Sequence, residues 1–370
     1  MNIHDLARHL DISIGTVSRA LNGRSQVSEK TRKRVLAAAE KLGYTPNQSG
    51  RSLRQGATGI VGFLIATTHE RAEKGEAAFF MSIFDGLQAY LAERNRDLVV
   101  LMSSAEQDPM AFLRRTVERR IVDGMIIAET RRHDPRIDYL VRRKLPFVTF
   151  GRSLSAGEYS WLDFDFEGVA TRSIERLYRQ GHRRIAVATA ASDINYGFLF
   201  VDACRAALRR HKIELTDDLV LREAPNEAGG SRIGGRLIAM ADRPTAVVLV
   251  DNKMATGLYH RLYEAGLAPG RDVAIIVLDD GPHTQYLSPP LTCYRVPLRE
   301  IGRSLGEMLV NAIDGGAPRH VITPMELVAG GSDGFRVSPH RRVAPRNGTP
   351  PRRAAAAAKP VRQPRVAPAE

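Results

Sequence analysis

The segment 14–19 combines residue types that suit recognition of a polar surface by an exposed helix face. Arg19 ends this segment, and a guanidinium can donate two parallel hydrogen bonds to paired acceptors such as the O6 and N7 atoms of guanine. Ile14 adds an apolar group, Gly15 adds no side chain, and Ser18 adds a hydroxyl. These groups can act together only if a helix holds them on one outward face.

Two short helices joined by a tight turn would provide that face. Apolar residues recur every four positions in 3–10 and again in 14–21, which predicts two amphipathic helices. Asp11 tolerates the left-handed conformation that such a turn needs, and the hydroxyl of Ser13 can cap the second helix. A helix-turn-helix places its second helix in the DNA major groove, although the same pattern also fits any small helical bundle.

A third predicted helix favours the helix-turn-helix interpretation. Ser28 can cap this helix, Gly43 ends it and Pro46 cannot continue it. Five segments closely resemble the headpiece of the lac/galactose repressor (LacI) family, namely 2–7, 16–19, 27–29, 42–47 and 51–53. Because this pattern is dense from residue 2 to residue 53, the resemblance is highly specific.

The resemblance implies a set of contacts with double-stranded DNA. The positions that match base or phosphate contacts of the family are Ser13, Ile14, Gly15, Thr16, Ser18, Arg19, Asn22, Ser28 and Thr31. The family varies its choice of operator at positions 14 and 15, so Ile14 would contact a thymine methyl and Gly15 would let the backbone approach. Phosphate contacts fix the register on DNA without carrying sequence information.

Residues 46–58 match the hinge of the family. A short hinge helix would begin at Asn47, and Leu53 would insert an apolar wedge into the minor groove, which unstacks a base step and bends the duplex. Leu53 could instead be an ordinary buried leucine. The family usually has alanine where this chain has Gly50, and glycine disfavours a helix by about 1 kcal/mol. We therefore expect the hinge to order only on DNA.

From Gly59 onward, apolar strands alternate with helices. Continuous apolar runs such as 60–65 are typical of strands covered on both faces, and their alternation with helices predicts parallel sheets. Two such series predict an α/β body of two lobes around a cleft. Segments 181–186, 278–280 and 290–292 resemble the effector-binding body of the LacI family, which is itself similar to periplasmic sugar-binding proteins.

Four parts are therefore predicted along the chain. Their expected bounds are 1–45 for the headpiece, 46–58 for the hinge, 59–332 for the effector-binding and dimerisation domain, and 333–370 for a disordered basic tail. The first lobe is expected to comprise about 59–153 and 291–323, and the second about 154–290 and 324–332. The three crossings between the lobes are expected near Ser153, Pro290 and Pro324.

The resemblance places an effector site at the ends of the strands. The candidate residues are Phe79, Phe80, Phe200, Asp251, Asn252 and Asp279. Asp279 matches an aspartate that bonds ligand hydroxyls, and a carboxylate can accept two hydrogen bonds from a diol, although an acid there could also cap a helix or lie on the surface. Asp251 and Asn252 reverse the usual Asn-Asp order of the family. Phe79 or Phe80 could cover the apolar face of a sugar, although phenylalanine at helical spacing is more often part of a core.

Phe200 departs from the family in a way that bears on the ligand. An arginine is common within the segment that matches 196–202, and Phe200 stands in its place. The loss of this cation argues against a carboxylated or phosphorylated ligand bound in the usual way. We therefore expect a neutral sugar or polyol.

Positive charge is concentrated at the two ends of the chain. The net charge is +13, and residues 1–55 carry ten Lys and Arg against four Asp and Glu, while residues 336–370 carry nine against one. This distribution fits contact with phosphate at an end, although a solvated surface would have the same composition. The tail has no leucine heptads for a coiled coil, and it could add non-specific DNA affinity or be inert.

Several classes of protein are disfavoured by what the sequence lacks. It has no run of about twenty apolar residues to cross a membrane and no signal peptide, so we expect a cytoplasmic protein. Cys204 and Cys293 form no metal pattern and are expected to be buried thiols. No phosphate-binding glycine loop, nucleophile elbow or His/Cys metal spacing occurs, so neither enzyme activity, a cofactor nor a metal is expected.

These features predict a ligand-responsive transcriptional regulator, a repressor by family default, that binds a pseudo-palindromic operator as a homodimer. Its effector must bind two states of the protein unequally in order to change the affinity for DNA. Three alternatives stay open: a sugar-binding protein of a transporter, an α/β enzyme and an architectural DNA-binding protein.

Overall fold

The structure is a computed structural model that describes residues 2–21, 26–44, 57–66, 77–278, 281 and 284–334. Several predicted features lie outside the described residues. They are Asn22, the hinge positions Asn47, Gly50 and Leu53, the strand-end Asp279, and the tail from residue 335.

Three helices pack around one small core in the N-terminal domain. They are α1 (Ile3–Leu10), α2 (Ile14–Leu21) and α3 (Glu29–Lys41). Asn2 forms a capping box with Asp5 at the start of α1, and Asp11 ends that helix in the left-handed conformation, with φ of 52°. Ser28 caps α3 by accepting a hydrogen bond from the backbone N–H of Thr31. The core includes Leu6, Leu10, Val17, Val35 and Tyr44. The predicted three-helix headpiece is confirmed.

Strands and helices alternate through the rest of the described chain. The first series is β1 (Ile60–Ala66), α4 (Ala77–Ala92), β2 (Asp97–Ser103), α5 (Pro109–Glu118), β3 (Gly124–Ala128), α6 (Pro135–Arg143), β4 (Phe147–Phe150) and β5 (Ser160–Phe164). The second is α7 (Phe166–Arg179), β6 (Ile185–Ala190), α8 (Asn195–Arg210), β7 (Val220–Glu223), α9 (Glu227–Ala239), β8 (Ala246–Leu249), α10 (Asn252–Glu264) and β9 (Ala274–Val277). The last elements are β10 (Cys293–Arg295), α11 (Leu298–Ile313), β11 (His320–Thr323) and β12 (Glu326–Val328).

Two parallel sheets define the two lobes. The first lobe has six strands in the order β11-β5-β4-β3-β1-β2, and the second has four in the order β7-β6-β8-β9. Strands β3, β4, β6, β8 and β9 are buried along their whole length, which explains their continuous apolar sequences. The two-lobed α/β body with parallel sheets is confirmed.

Helices α4 and α11 approach each other closely in the first lobe because glycines face the contact. A Cβ atom on Gly86 would lie 1.9 Å from the carbonyl oxygen of Arg299. A Cβ atom on Gly302 would lie 2.0 Å from the carbonyl oxygen of Ile83. Side chains at these two positions would therefore force the helices apart.

Two of the three crossings between the lobes lie later in the chain than expected. Strand β5 pairs with β4 in the first sheet, so the first crossing follows Phe164, and the expectation near Ser153 was wrong. Strand β10 pairs with β12, and Thr292 forms a bridge with Ile276 of β9, so the second crossing follows Arg295 instead of lying near Pro290. Short strands that mix polar with apolar residues gave no clear signal in the sequence.

The last described residues are hydrogen-bonded to the second lobe. The hydroxyl of Ser332 donates to the carbonyl oxygen of Ile275 at 2.6 Å. The buried carboxylate of Asp333 accepts hydrogen bonds from Thr292 Oγ1, at 2.5 Å, and from Arg176. Burial alone would raise the pKa of Asp333, but these hydrogen bonds lower it below its usual range. The ordered body therefore includes Asp333, where the disordered tail was expected to begin.

Candidate nucleic-acid interface and ligand cleft

The start of α2 presents an open surface. Ser13 Oγ accepts a hydrogen bond from the backbone N–H of Thr16 at 3.1 Å, and the two hydroxyls lie 2.9 Å apart. Ile14 is 36% exposed and Gly15 is exposed, whereas Val17 on the opposite face is fully buried. The amphipathic pattern therefore orients this helix as predicted, with its first turn outward.

Arg19 lies one turn further along the same face. A Cβ atom on Gly15 would be 3.6 Å from Nη2 of Arg19, so the guanidinium reaches back along the helix toward Gly15. The Nε atom of Arg19 is buried, and it has no hydrogen-bond partner in the described part of the chain. Because Nε is buried and the residue is half-buried, a contact of Arg19 with a ligand at the surface of α2 would use its terminal nitrogens.

The other predicted DNA contacts are placed only in part. Ser28 Oγ lies 2.8 Å from Thr31 Oγ1 at the start of α3, and Ser18 is half-buried on α2. Sequence reasoning missed Arg34, whose Nη2 donates to the carbonyl oxygen of Leu10 at 2.8 Å and ties α3 to the end of α1. Asn22, Asn47 and Leu53 lie outside the described residues.

The predicted ligand cleft is bounded by the carboxyl ends of the strands in both lobes. The loop after β3 reaches the second lobe directly, because the backbone N–H of Asn195 donates to the carbonyl oxygen of Thr130 at 2.9 Å. Arg131 and Ile194 form an antiparallel bridge in the same region. Parallel sheets bind ligands beyond such strand ends.

The two phenylalanines at the start of α4 have different environments. Phe80 is 9% exposed and its ring lies edge-on to Phe63, with the centroids 5.9 Å apart. Phe79 is half-buried and stacks on Phe150, at the end of β4, with the centroids 6.4 Å apart. Phe80 therefore belongs to the core, which was the alternative left open, and Phe79 remains a candidate to cover a ligand.

Phe200 is not accessible to a ligand, and its assignment to the effector site was wrong. Its side chain is fully buried in the core of the second lobe. Val201, Cys204 and Ala207 are buried on the same side of α8. Phe200 shares their helical spacing, so it packs inward where the family commonly has an arginine.

Asp251 and Asn252 lie where β8 passes into α10. Asp251 caps the helix, since its carboxylate accepts a hydrogen bond from the backbone N–H of Lys253 at 2.8 Å. The side chain of Asn252 lies against Gly281, where an added Cβ would be 2.4 Å from Asn252 Oδ1. Asp279, the remaining candidate on this side of the cleft, lies outside the described residues.

A charged cluster at the first crossing was missed by sequence reasoning. Arg152 donates through Nε to Asp163 at 2.8 Å and through both terminal nitrogens to Glu167 at 2.9 and 2.8 Å. Asp163 lies on β5 of the first lobe and Glu167 in the first turn of α7 in the second. No sequence signal pointed to this cluster, because Asp163 and Glu167 are 11 and 15 residues from Arg152.

The two carboxylates respond differently to Arg152. Asp163 is almost fully buried, and this burial outweighs the attraction of the guanidinium and raises the pKa of Asp163. Glu167 is closer to solvent, and despite its partial burial the hydrogen bonds from Arg152 lower its pKa. The cluster is therefore an ion pair that connects the two lobes across the crossing.

Comparisons with known proteins agree with this architecture. The model for bacterial regulatory proteins of the lacI family matches residues 2–47, and the model for a periplasmic binding protein-like domain matches residues 174–332. The HTH-type transcriptional regulator AglR of Rhizobium meliloti is 32% identical over 340 residues, which cover 90% of this chain and 94% of that protein. The chain belongs to the LacI family.

Three further proteins are similar to this LacI-family chain. The regulator RafR of Escherichia coli is 28% identical, over 86% of this chain and 94% of that protein. The solved complex of the regulator CelR with cellobiose is 26% identical, with a TM-score of 0.69 over 90% of this chain and 99% of that one. The lac repressor dimer bound to operator and the anti-inducer ONPF shows the same fold, with a TM-score of 0.78 at 22% identity over 90% and 99% of the two chains. The relatives named here are transcriptional regulators.

Two kinds of feature are not found among the described residues and their helices. None of their helices combines the length and the hydrophobicity needed to cross a bilayer. Among the same residues, no three His, Cys, Asp or Glu side chains are grouped so that they could hold a metal ion.

Proposed function

We propose that this LacI-family chain is a transcriptional repressor that binds a pseudo-palindromic operator as a homodimer and responds to a neutral sugar or polyol. The outward face of α2 carries this proposal, because it presents Ile14, Gly15 and Arg19 beside a capped helix start. A recognition helix uses such a surface to contact base edges in the major groove. Action on chromosomal DNA would place the protein in the cytoplasm.

Selection of random duplex DNA on the full-length protein at physiological salt tests the DNA part of this proposal. We expect one pseudo-palindrome to be enriched, with a flexible pyrimidine–purine step at its centre where the Leu53 wedge would act. Binding that shows no sequence preference and only weakens steeply with salt would contradict the proposal and favour an architectural role.

A neutral sugar is supported by relatives and by the chemistry of the cleft. CelR is solved with cellobiose, and a LacI-family regulator from Enterococcus faecium is solved with ribose. In this chain Phe79 offers an aromatic surface, while the position that commonly carries an arginine is the buried Phe200. Asp251, Asn252 and Asp279 would supply hydrogen-bond acceptors for hydroxyl groups.

Calorimetry with a panel of neutral sugars and matching sugar acids tests the ligand class. We expect heat of binding from at least one neutral sugar and none from its acid. Binding of a sugar acid alone would overturn the assignment. Repeating the DNA titration with the bound sugar then shows whether it releases the operator.

An exposed apolar surface on the first lobe supports the homodimer. We call it the β2 patch; it consists of Met81 on α4 with Val100 and Met102 on β2, and these side chains are 60%, 37% and 58% exposed. Val100 and Met102 are two residues apart, so they lie on one face of the sheet. Strand β2 is at the edge of its sheet, next to α4 through a hydrogen bond from the Leu98 N–H to Gln88 Oε1 at 2.9 Å. A patch of this kind at a sheet edge is typical of a protein interface.

The hinge and the tail are each expected to contribute to DNA binding. The hinge, expected over residues 46–58, would become ordered when the dimer binds the operator, except at Thr58, whose N–H and hydroxyl already donate to Asp123. Amide exchange that shows a protected hinge in the DNA-free protein would contradict this. If the tail from residue 335 adds phosphate affinity, its deletion should reduce the salt dependence of DNA binding, whereas an unchanged slope would assign it no such role.

A further inference from the structure

A cavity lies at the border of the two lobes, and its lining differs from the set of residues proposed for the sugar site. Its volume is about 350 Å³, within the range of small-molecule sites. The charged and aromatic residues that line it are Arg132, Phe198, Asp202, Arg205, Asp217 and Arg222. None of the described candidates for the sugar site lines this cavity.

Two guanidinium groups from different lobes meet at one aromatic ring in this cavity. The guanidinium carbon of Arg132, in the loop after β3, lies 5.1 Å from the ring centroid of Phe198 on α8. The guanidinium carbon of Arg222, on β7, lies 4.9 Å from the same centroid. Cation–π attraction holds both groups near the ring, and both residues line the same cavity.

These two arginines carry charge that nearby acids do not neutralise. Arg205 pairs with Asp202 and Asp217 at 3.5 and 3.4 Å, whereas neither Arg132 nor Arg222 has a carboxylate within 4.0 Å among the residues that the structure describes.

The acid beside Arg222 in the chain is engaged elsewhere. Glu223 accepts a hydrogen bond from Arg232 at 2.7 Å and lies 4.0 Å from Arg236. The cavity therefore has an excess of positive charge, which favours an anionic ligand.

The backbone of Arg132 is fixed against both lobes. Its N–H donates to the carbonyl oxygen of Asp193 in the second lobe at 3.2 Å. Its carbonyl oxygen accepts hydrogen bonds from the N–H of Leu154, at 2.7 Å, and from the hydroxyl of Ser153, at 3.1 Å. Such anchoring lowers the entropic cost of holding a ligand between Arg132 and Arg222.

We propose that this cavity binds the phosphate group of a small phosphate ester, with Arg132 of one lobe and Arg222 of the other as its ligands. Each guanidinium presents a planar fork of N–H donors, and a phosphate monoester offers three terminal oxygens, enough for two forks at once. The ring of Phe198 and the volume beyond the two forks leave room for the organic part of the ester. This site goes beyond the proposed sugar regulation, because it adds a second ligand class held by a different set of residues.

A ligand that bridges both lobes can regulate the protein by stabilising one arrangement of the lobes. Arg132 and Arg222 keep their present separation only while the lobes keep their present arrangement. An anion held by both arginines therefore stabilises this arrangement relative to one in which the lobes move apart.

Calorimetry and thermal unfolding of the full-length protein at constant ionic strength test the site. The probes are glucose 6-phosphate, inorganic phosphate and glucose, and the test variant is Arg132→Gln with Arg222→Gln. The matched control is Arg209→Gln with Arg210→Gln, which removes the same charge from the exposed end of α8, outside the cavity.

We expect glucose 6-phosphate to bind and to raise the unfolding temperature, and the test variant to lose at least about tenfold in affinity while the control variant keeps it. Inorganic phosphate binding as tightly as the ester, with the same dependence on the two arginines, would identify free phosphate as the source of the ligand. Equal affinity of the test variant and the wild type for glucose 6-phosphate would overturn the proposal. No binding of either phosphate compound, or glucose binding that depends on Arg132 and Arg222 as strongly as binding of the ester does, would also overturn it.

Discussion

Arg19 lies against Gly15, so its guanidinium is held beside the exposed start of α2. We expect Arg19→Gln to reduce the free-energy difference between the preferred base and the other bases at one operator position by about 1–3 kcal/mol. Glutamine cannot donate two parallel hydrogen bonds to O6 and N7 of guanine. Fluorescence anisotropy with the selected operator and its single-base variants measures this loss. Arg8→Gln is the control, since Arg8 is 82% exposed on α1 and pairs with Asp5. A uniform loss across all DNA sequences in the Arg19 variant would assign Arg19 to phosphate instead.

Asp333 is a carboxylate whose stabilising effect depends on pH. Its pKa is lowered in the folded state, so its contribution is present above the unfolded pKa of about 3.9 and is lost as the pH falls through the folded pKa. We expect Asp333→Asn to lower the free energy of unfolding at pH 7, and the difference from wild type to shrink below about pH 4. Urea unfolding at both pH values measures this. A difference that is constant with pH would show that the charge of Asp333 contributes nothing.

Phe200 and Arg152 mark two limits of what the sequence predicts about single side chains. The family position suggested a ligand contact for Phe200, but its spacing with Cys204 and Ala207 places it on the buried face of α8. Arg152 has no local pattern, because its partners Asp163 and Glu167 are brought to it by the fold of the chain after β4. Helical periodicity could have corrected the first assignment, whereas the second needed coordinates.

Helices α4 and α11 depend on glycine for their close contact in the first lobe. We expect Gly302→Ala to cost about 3 kcal/mol or more, because the new Cβ would lie 2.0 Å from the carbonyl oxygen of Ile83. Gly235→Ala on α9 is the matched control, since the nearest atom to its Cβ would be Arg261 Nε at 3.8 Å. The control should gain up to about 1 kcal/mol through helix propensity. Urea unfolding compares the two, and equal effects would show that the helices adjust freely.

Strands that are fully buried could be predicted from the sequence, whereas partly exposed strands could not. Strands such as β3 and β8, which are apolar and buried throughout, were evident in the sequence. Strands β5, β7 and β11 have no continuous apolar run to predict them, because each is four or five residues long and mixes polar with apolar side chains. Their positions come from parallel pairing with neighbours, as in the register of His320 with Trp161, which no local pattern shows. The lobe boundaries were displaced for the same reason.

At the scale of the whole molecule, the β2 patch should hold two copies together. We expect Met81→Asp with Met102→Asp to raise the dimer dissociation constant at least about a hundredfold, because two buried charges would replace apolar contacts. Ile322→Asp is the control, since Ile322 is 47% exposed on β11, at the opposite edge of the same sheet. Light scattering after size-exclusion chromatography measures the mass of each variant. A dimer that survives the double substitution would place the interface elsewhere.

The first lobe is assembled from two parts of the chain that are far apart in the sequence. This affects how the protein folds while it is being synthesised. Its sheet needs β11, and α4 needs α11 as its partner, yet both arrive after the whole sheet of the second lobe has been synthesised. The second sheet comes from one uninterrupted stretch, 185–277, so it can form while the ribosome is still producing the rest. Until residue 323 has emerged, the nascent first lobe has an open edge at β5 and an uncovered helix surface around Gly86. This intermediate is the stage at which the growing chain is most exposed to aggregation and to capture by chaperones.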